Sequence, residues 1–140
     1  MGLPGSGKTT LAERISKKLK ADWLNADRVR TKFKDYDFSH KGIIRQVRRM
    51  KKLSSKSKKK FVVADFVCPK KQQIKIFKPD FVIWMDTIKK GRFADMNKMF
   101  RPPEKYNIRL KRKNIKVNLK ASVSKIKSFS KKNEISIKRI

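Results

Sequence analysis

Gly2-Leu-Pro-Gly-Ser-Gly-Lys-Thr9 fits the pattern G-x-x-x-x-G-K-[ST] at every position. A loop that cradles phosphate must turn several backbone N–H groups toward one point, which requires dihedral angles that a Cβ would forbid. Gly5 and Gly7 supply that freedom, and three of the chain's five glycines fall in this one loop. Lys8 then places a cation on the β/γ-phosphates, and the Thr9 hydroxyl is a ligand for Mg²⁺. Leu11, Ile15 and Leu19 follow at i, i+4 and i+8, flanked by Lys17, Lys18 and Lys20, the pattern of a one-sided helix. Such a helix aims the positive end of its dipole at the same anion. The segment therefore predicts a nucleoside triphosphate site built from Gly2, Gly5, Ser6, Gly7, Lys8, Thr9 and Thr10.

Outward from the loop, Ala21–Asn25 reads as a short strand with Asp27 just beyond it, Arg28–Lys34 as a helical turn and Asp35–Ser39 as a loop. Ile43, Val47, Met50 and Leu53 recur at spacings of four, three and three, which predicts an amphipathic helix over Lys41–Leu53. Ser54–Lys60 reads as a solvated connector. Phe61–Val67 is a nearly continuous apolar run, as a buried parallel strand requires, and Cys68-Pro69 stops it. Lys70–Phe77 predicts a short helix, Phe81–Asp86 another buried strand, and Gly91–Phe100 a helix that Pro102-Pro103 ends. Beyond these, Tyr106–Val117 predicts a weak strand, and Leu119, Val123 and Ile126 a terminal helix.

Strands alternating with helices argue for an α/β fold, a parallel sheet with helices on both faces. Ligands of such sheets bind beyond the C-terminal strand ends. Asp27, Asp65 and Asp86 stand at or near those ends, so three carboxylates predict one polar crevice. A buried central strand ordinarily precedes a glycine loop of this kind, and here the loop begins at residue 2. The expectation is a sheet whose N-terminal strand is missing, with a gap between its neighbours.

At 140 residues the chain fits one domain, and 38% hydrophobic residues allow a lean core. One Cys excludes a disulfide framework and a Cys-rich zinc site, and one His argues against Ser-His-Asp chemistry or a His-built metal site. No apolar run approaches the roughly 18 residues of a membrane span. No apolar signal stretch opens the chain either, so no membrane partner is expected and a cytoplasmic location is the default. Lys+Arg number 41 against 11 Asp+Glu, a formal charge of +30. That surplus attracts any polyanion. The lysines, however, are spread over Lys17–Lys20, Lys51–Lys60, Lys70–Lys78, Lys89–Lys90 and Lys111–Lys138 with no stacking aromatic pattern between them. This favours a general lysine bias, and leaves nucleic acid as a non-specific partner through charge alone.

Beyond the glycine loop an ordered series of short motifs follows: Asn25-Ala-Asp-Arg-Val-Arg30, Phe38-Ser39, Gln46-Val-Arg-Arg-Met50, Phe66-Val-Cys-Pro69, Asp86-Thr87 with Arg92, Asp95 and Asn97, and Phe100-Arg-Pro-Pro-Glu104. From Gly2 to about Arg109 this series resembles the adenylylsulfate kinases, small P-loop enzymes of sulfate assimilation. The resemblance implies a P-loop kinase domain over 1–110, with 111–140 as a basic strand/helix segment completing or trailing it. It implies ATP and Mg²⁺ as cofactors, and transfer of the ATP γ-phosphate to the 3′-hydroxyl of adenylyl sulfate. Partners would then be these two small molecules, with a homodimer left open. Asp27 would orient or deprotonate the 3′-hydroxyl and help place Mg²⁺. Arg30 would pair with the substrate's phosphate or sulfate, where a planar guanidinium suits a tetrahedral oxyanion. Phe38 would lie against the adenine, Gln46 would replace the family's Asn as an amide partner for it, Arg49 would reach the sulfate, and Cys68 would line the same site. Phosphoryl transfer needs alignment and charge neutralisation more than covalent help, so Lys8, Asp27 and Arg30 form the expected catalytic set.

The chain departs from the family at several points. Asn25 stands where the family has its first acidic residue, Ile43 where it has an arginine, Cys68 where it has serine and Asn97 where it has the lid lysine. Bland roles compete with the sharp ones. Asp27 alternatively caps the helix opening at Arg28. Asp65, which follows an apolar run and so suits Mg²⁺, is alternatively a plain strand residue, and Arg48 and Arg49 alternatively form a solvated helix face. Cys68 reads as a small buried residue with no activating neighbour, and His40 as a helix-start residue. Two competing functions follow: a kinase for another small acceptor, and a basic nucleic-acid-binding module with a vestigial glycine loop.

Overall fold

Phe61-Val-Val-Ala-Asp65 carries the alternation that sets the two faces of the sheet. Val63 packs with Leu11, Ile15, Phe81 and Ile126, whereas Ala64 lies against the cluster of Val29, Val47, Met50 and Phe77, as the period of two along a strand requires. Trp23 and Leu24 divide the same way in the neighbouring strand. A strand covered on both sides needs no polar alternation, which is why this stretch is almost uniformly apolar.

The computed structural model describes residues 1–67, 70–133 and 139–140. In chain order the elements are α1 (Lys8–Leu19), β1 (Asp22–Asn25), α2 (Ala26–Phe33), α3 (His40–Lys56), β2 (Val62–Asp65), α4 (Lys71–Phe77), β3 (Ile83–Met85), α5 (Ala94–Met99), β4 (Ile108–Leu110) and α6 (Ile115–Lys132). The fold is α/β, with parallel strands and helices on both faces. β1 pairs with β2 in parallel, Asp22 opposite Val62 and Asn25 opposite Asp65, and β3 pairs with β4 in parallel, Ile83 opposite Ile108. α1 and α6 pack on one face around Leu11, Ile15 and Ile126; α2, α3 and α4 cover the other around Val29, Val47, Met50 and Phe77.

The expected gap between the strand pairs is occupied by the ends of the described chain. On the β2 side, Ile140 N–H donates to Val62 O and Ala64 N–H donates to Ile140 O, both at 2.8 Å, the bonding pattern of a parallel neighbour. On the β3 side, the Met1 amine donates to Ile83 O at 2.7 Å, Met85 N–H donates to Met1 O at 2.8 Å, and Gly2 bridges Met85 in parallel. Arg139 O accepts from Asp80 N–H and Phe81 N–H. Polar edges that would otherwise be buried without partners are satisfied in this way.

Several element boundaries differ from the sequence expectation for local reasons. α3 runs on to Lys56 through the first residues of the expected connector, with Ser54 and Ser55 hydroxyls turned back to Lys51 O. The expected helix from Gly91 begins only at Ala94, because Asn97 bonds Gly91 through both its Oδ1 and its Nδ2, each at 2.8 Å, and holds the chain before it in a closed loop. The strand expected over Tyr106–Val117 is limited to β4. Asn114 accepts from Val117 N–H at 3.1 Å and starts α6 there, a normal task for Asn at a helix N-terminus.

Ile126 is fully buried where α6 meets α1 and β2. Ile126→Ala is expected to lower the unfolding free energy by about 2–5 kcal/mol, the usual cost of deleting a well-packed aliphatic side chain. Denaturant titration followed by circular dichroism checks it, and a loss below about 1 kcal/mol would show that α6 is not part of the cooperative core.

Candidate active site

Gly5 and Gly7 take φ of 85° and 91°, the left-handed region that side chains avoid. Gly7 is the residue at which the loop turns into α1. The turn is tied internally, Ser6 N–H to Leu3 O at 3.2 Å and Lys8 Nζ to Leu3 O at 2.8 Å. It is tied externally by Thr87 Oγ1, which donates to Ser6 O at 2.7 Å. Thr87 lies just past β3, so the loop is pinned by the strand with which Met1 and Gly2 pair. Thr9 and Thr10 are exposed on the first turn of α1, and Ser6 Oγ is buried with no protein partner among the described residues. The result is a set of donors around the N-terminus of a twelve-residue helix, the arrangement that binds phosphate.

The ends of β1 and β2 supply the carboxylates. The register sets Asn25 opposite Asp65, and Asn25 Nδ2 donates to Asp65 Oδ2 at 2.8 Å. Asn25 Oδ1 meanwhile accepts from Arg28 N–H at 3.0 Å and caps α2. The cap is therefore Asn25, and Asp27 sits exposed in the first turn of α2. Burial lowers the pKa of the Lys8 ammonium below that of a free lysine, while the charges of Asp65 and then Asp27 act to raise it. Lys8 thus lies within the field of both Asp65 and Asp27. The all-oxygen set of Thr9, Asp27 and Asp65 fits a hard cation such as Mg²⁺.

Asp86 does not join them. Its carboxylate accepts from Arg109 and Lys89, whose hydrogen bonds outweigh its burial and hold its pKa below the usual range. The crevice expected of three strand-end carboxylates is built from two.

A second cluster lies between α2 and α3. Arg30 is buried, and Nη1 donates to Asp35 O at 3.2 Å and Asp37 O at 3.1 Å. Its guanidinium lies 4.4 Å from the ring of Phe38, which is itself 62% exposed. Among the described residues Arg30 Nε and Nη2 have no hydrogen-bond acceptor, so the buried cation keeps donors to offer. Gln46 is buried, with Nε2 donating to Ala26 O at 3.0 Å and Oε1 accepting from Arg49 Nη1 at 2.8 Å. Arg49 also donates to Asp35 at 2.8 Å and lies 4.4 Å over the Phe33 ring, so it is not merely a solvated helix residue. Asp35 takes a forked pair from Arg45 as well, at 2.8 and 2.9 Å. The bonds from Arg45 and Arg49 hold the Asp35 carboxyl far below the ordinary carboxylate range.

Of the residues singled out in the sequence, Gly2, Gly5, Ser6, Gly7, Lys8, Thr9 and Thr10 form one loop and helix turn, with Asp27 and Asp65 beside Lys8. Arg30 and Phe38 stack together, and Gln46 joins Arg49. Cys68 lies outside the described residues. The contributions of Asp35, Arg45 and Thr87 emerge only from the fold. Asp35 and Arg45 are ten positions apart with basic residues crowded on either side, from Arg28 to Lys34 and from Arg48 to Lys52, so sequence offers no way to choose one partner among many.

Residues 1–77 match the family described as AAA domain, and the chain belongs to it. No curated protein matches the chain. Among solved structures it is similar to the Mycobacterium tuberculosis APS kinase CysC in complex with AMPPNP and APS, at 17% identity and a TM-score of 0.76, over 91% of this chain and 94% of that one. At that identity the likeness shows the fold, a P-loop kinase fold.

The carboxyl of Asp35 has a depressed pKa in the fold, so its stabilising effect is fully present above the unfolded-chain value of about 3.9 and fades as the pH falls below it. Asp35→Asn should therefore lower the melting temperature at pH 6, and the deficit should shrink steadily below about pH 4. Thermal melts across that range check it; a deficit that is the same at both ends would remove the Asp35–arginine network from the stability of this region.

Proposed function

We propose that this chain is an ATP-dependent kinase of adenylyl sulfate, transferring the γ-phosphate to the 3′-hydroxyl of the acceptor. The observation that carries the reading is the placement of two complementary sites at one end of the sheet. The glycine loop and Lys8 suit a triphosphate, and the Arg30–Phe38 stack, reached from the same β1–α2 turn as Asp27, suits a nucleotide bearing a tetrahedral anion.

Each side chain then has a task that its geometry supports. Lys8 and the loop amides hold the β- and γ-phosphates, and the start of α1 adds its dipole. Thr9, Asp65 and Asp27 would hold Mg²⁺, which neutralises phosphate charge when bound. Asp27, exposed and with no hydrogen bond at its carboxylate among the described residues, accepts the proton of the attacking hydroxyl. Arg30 presents its unpaired Nε and Nη2 donors to the acceptor's anion, and Phe38 offers a ring face to a base. Asp35 positions Arg49, and through it Gln46.

One observation favours a second reading, a kinase for another small acceptor. The amide of Gln46 is engaged at both ends by Ala26 O and Arg49, which leaves it a reduced capacity to read an adenine edge.

The deciding measurement is ADP release with a panel of acceptors. Adenylyl sulfate should stimulate it, and Lys8→Ala should abolish the stimulated rate. Stimulation by a sugar, by shikimate or by a polynucleotide end, with none by adenylyl sulfate, overturns the assignment in favour of the second reading. Asp27→Ala is expected to lower kcat by roughly a hundredfold or more, the usual worth of a placed general base, while ATP affinity changes by less than about threefold. An equal loss in both would place Asp27 in ATP binding and not in the transfer step.

A further inference from the structure

α3 carries two faces with different chemistry. Gln46 and Arg49 point into the cluster described above, whereas Arg48, Lys51, Lys52 and Ser55 recur at i, i+3, i+4 and i+7 roughly half a turn further round the helix. That second stripe faces Lys75 and Lys78 at the end of α4, and together with Ile76 these side chains line an open groove of about 540 Å³. Five cations share the groove, and among the described residues no carboxylate lines it.

We propose that this groove binds the phosphodiester backbone of nucleic acid, independently of base sequence and of the nucleotide site. A lysine-rich chain scatters charge everywhere, so charge alone does not single out a surface. Concavity does: here five cations line the two walls of one groove. Cations that border carboxylates are partly neutralised, Arg45 and Arg49 by Asp35, Lys71 by Glu104, Arg109 by Asp86. Among the described residues none of Arg48, Lys51, Lys52, Lys75 and Lys78 has a carboxylate within 4.0 Å, and Glu104, whose charge is felt by Lys75, is itself held by Lys71. Cations on both walls of a concave surface reinforce one another's field. The α3 stripe spans about 10 Å along its axis, enough to follow several consecutive phosphates. No aromatic ring lines the groove, so stacking on bases is absent and binding falls to the backbone. An anionic membrane fits less well, because the single apolar side chain in the lining, Ile76, is half-buried and lies at the floor between two helices.

The test compares two variants of equal charge. One carries Arg48→Gln, Lys51→Gln, Lys52→Gln and Lys75→Gln; the other carries Lys116→Gln, Lys120→Gln, Lys127→Gln and Lys131→Gln on the exposed side of α6. Binding of a fluorescein-labelled oligothymidylate of about 20 nucleotides is followed by anisotropy over a range of salt. The groove variant should bind at least roughly tenfold more weakly, and its log–log salt slope should be smaller by about 3, at about 0.7 for each phosphate of a single strand that is no longer neutralised. The α6 variant should lose less than about threefold, and Lys8→Ala should bind as the parent protein does. An equal loss in the groove and α6 variants overturns the proposal, since the field of the whole chain would then account for binding. So does a groove variant that keeps oligonucleotide affinity but no longer floats with phosphatidylserine vesicles. Should the quadruple variant melt early, Arg48→Gln with Lys52→Gln alone must still reduce the slope by more than about one unit, as two unneutralised phosphates require.

Discussion

The ammonium of Lys8 is the charge on which the arrangement of the site depends. Drawn partly out of water, it binds its proton less firmly, and Asp65 and Asp27 restore part of what burial removes. Residues 8, 27 and 65 come together only because α1 starts at the loop while β1 and β2 end side by side, Asn25 opposite Asp65. A slip of one residue in that pairing would turn Asp65 to the other face of the sheet and Ala64 into its place. The two apolar layers resist the slip, since Val63 and Ala64 belong to different clusters and cannot exchange. Packing on both faces thus fixes the position of a carboxylate, and the carboxylate supports the lysine.

The fold was legible wherever periodicity was strong and unopposed. The stripe of Ile43, Val47 and Met50 became α3, and the apolar run at Phe61 became β2, because each pattern has one buried solution. Boundaries were less legible where a single polar side chain decides. Asn97 clamps Gly91 and delays α5, and Asn114 starts α6 inside a stretch that also reads as a strand. The sheet gap was legible as a deficiency but not in its resolution. Nothing in the residues of a chain end announces that Ile140 will hydrogen-bond to β2 or Met1 to β3.

The triphosphate half of the site could be read from spacing because a loop and the helix it opens are contiguous in sequence. The proposed acceptor half draws on separate stretches, and the interaction that orders them is a carboxylate shared by two arginines. Asp35 lies in a turn at the end of α2, Arg45 and Arg49 on α3. In a chain with 41 basic residues and 11 acidic ones, most cations have no carboxylate to meet. Which arginine each acid chooses is settled by helix packing, and sequence alone carries little of that information.

That scarcity also separates the two kinds of basic residue. Arginines gather where acceptors are fixed: Arg30 on two carbonyls and a ring, Arg45 and Arg49 on Asp35, Arg109 on Asp86 and the Trp84 ring. A planar fork loses less freedom for each bond it makes and holds its direction afterwards. Such residues keep a preferred geometry. Lysines, as hydrated point charges on flexible stems, occupy most of the groove between α3 and α4 and gain most from an extended anion that tolerates many orientations. The surplus of positive charge therefore acts in two ways on one molecule. Where acids and rings restrain it, it can recognise the shape of a small anion; where nothing restrains it, it answers to the linear charge density of a polymer.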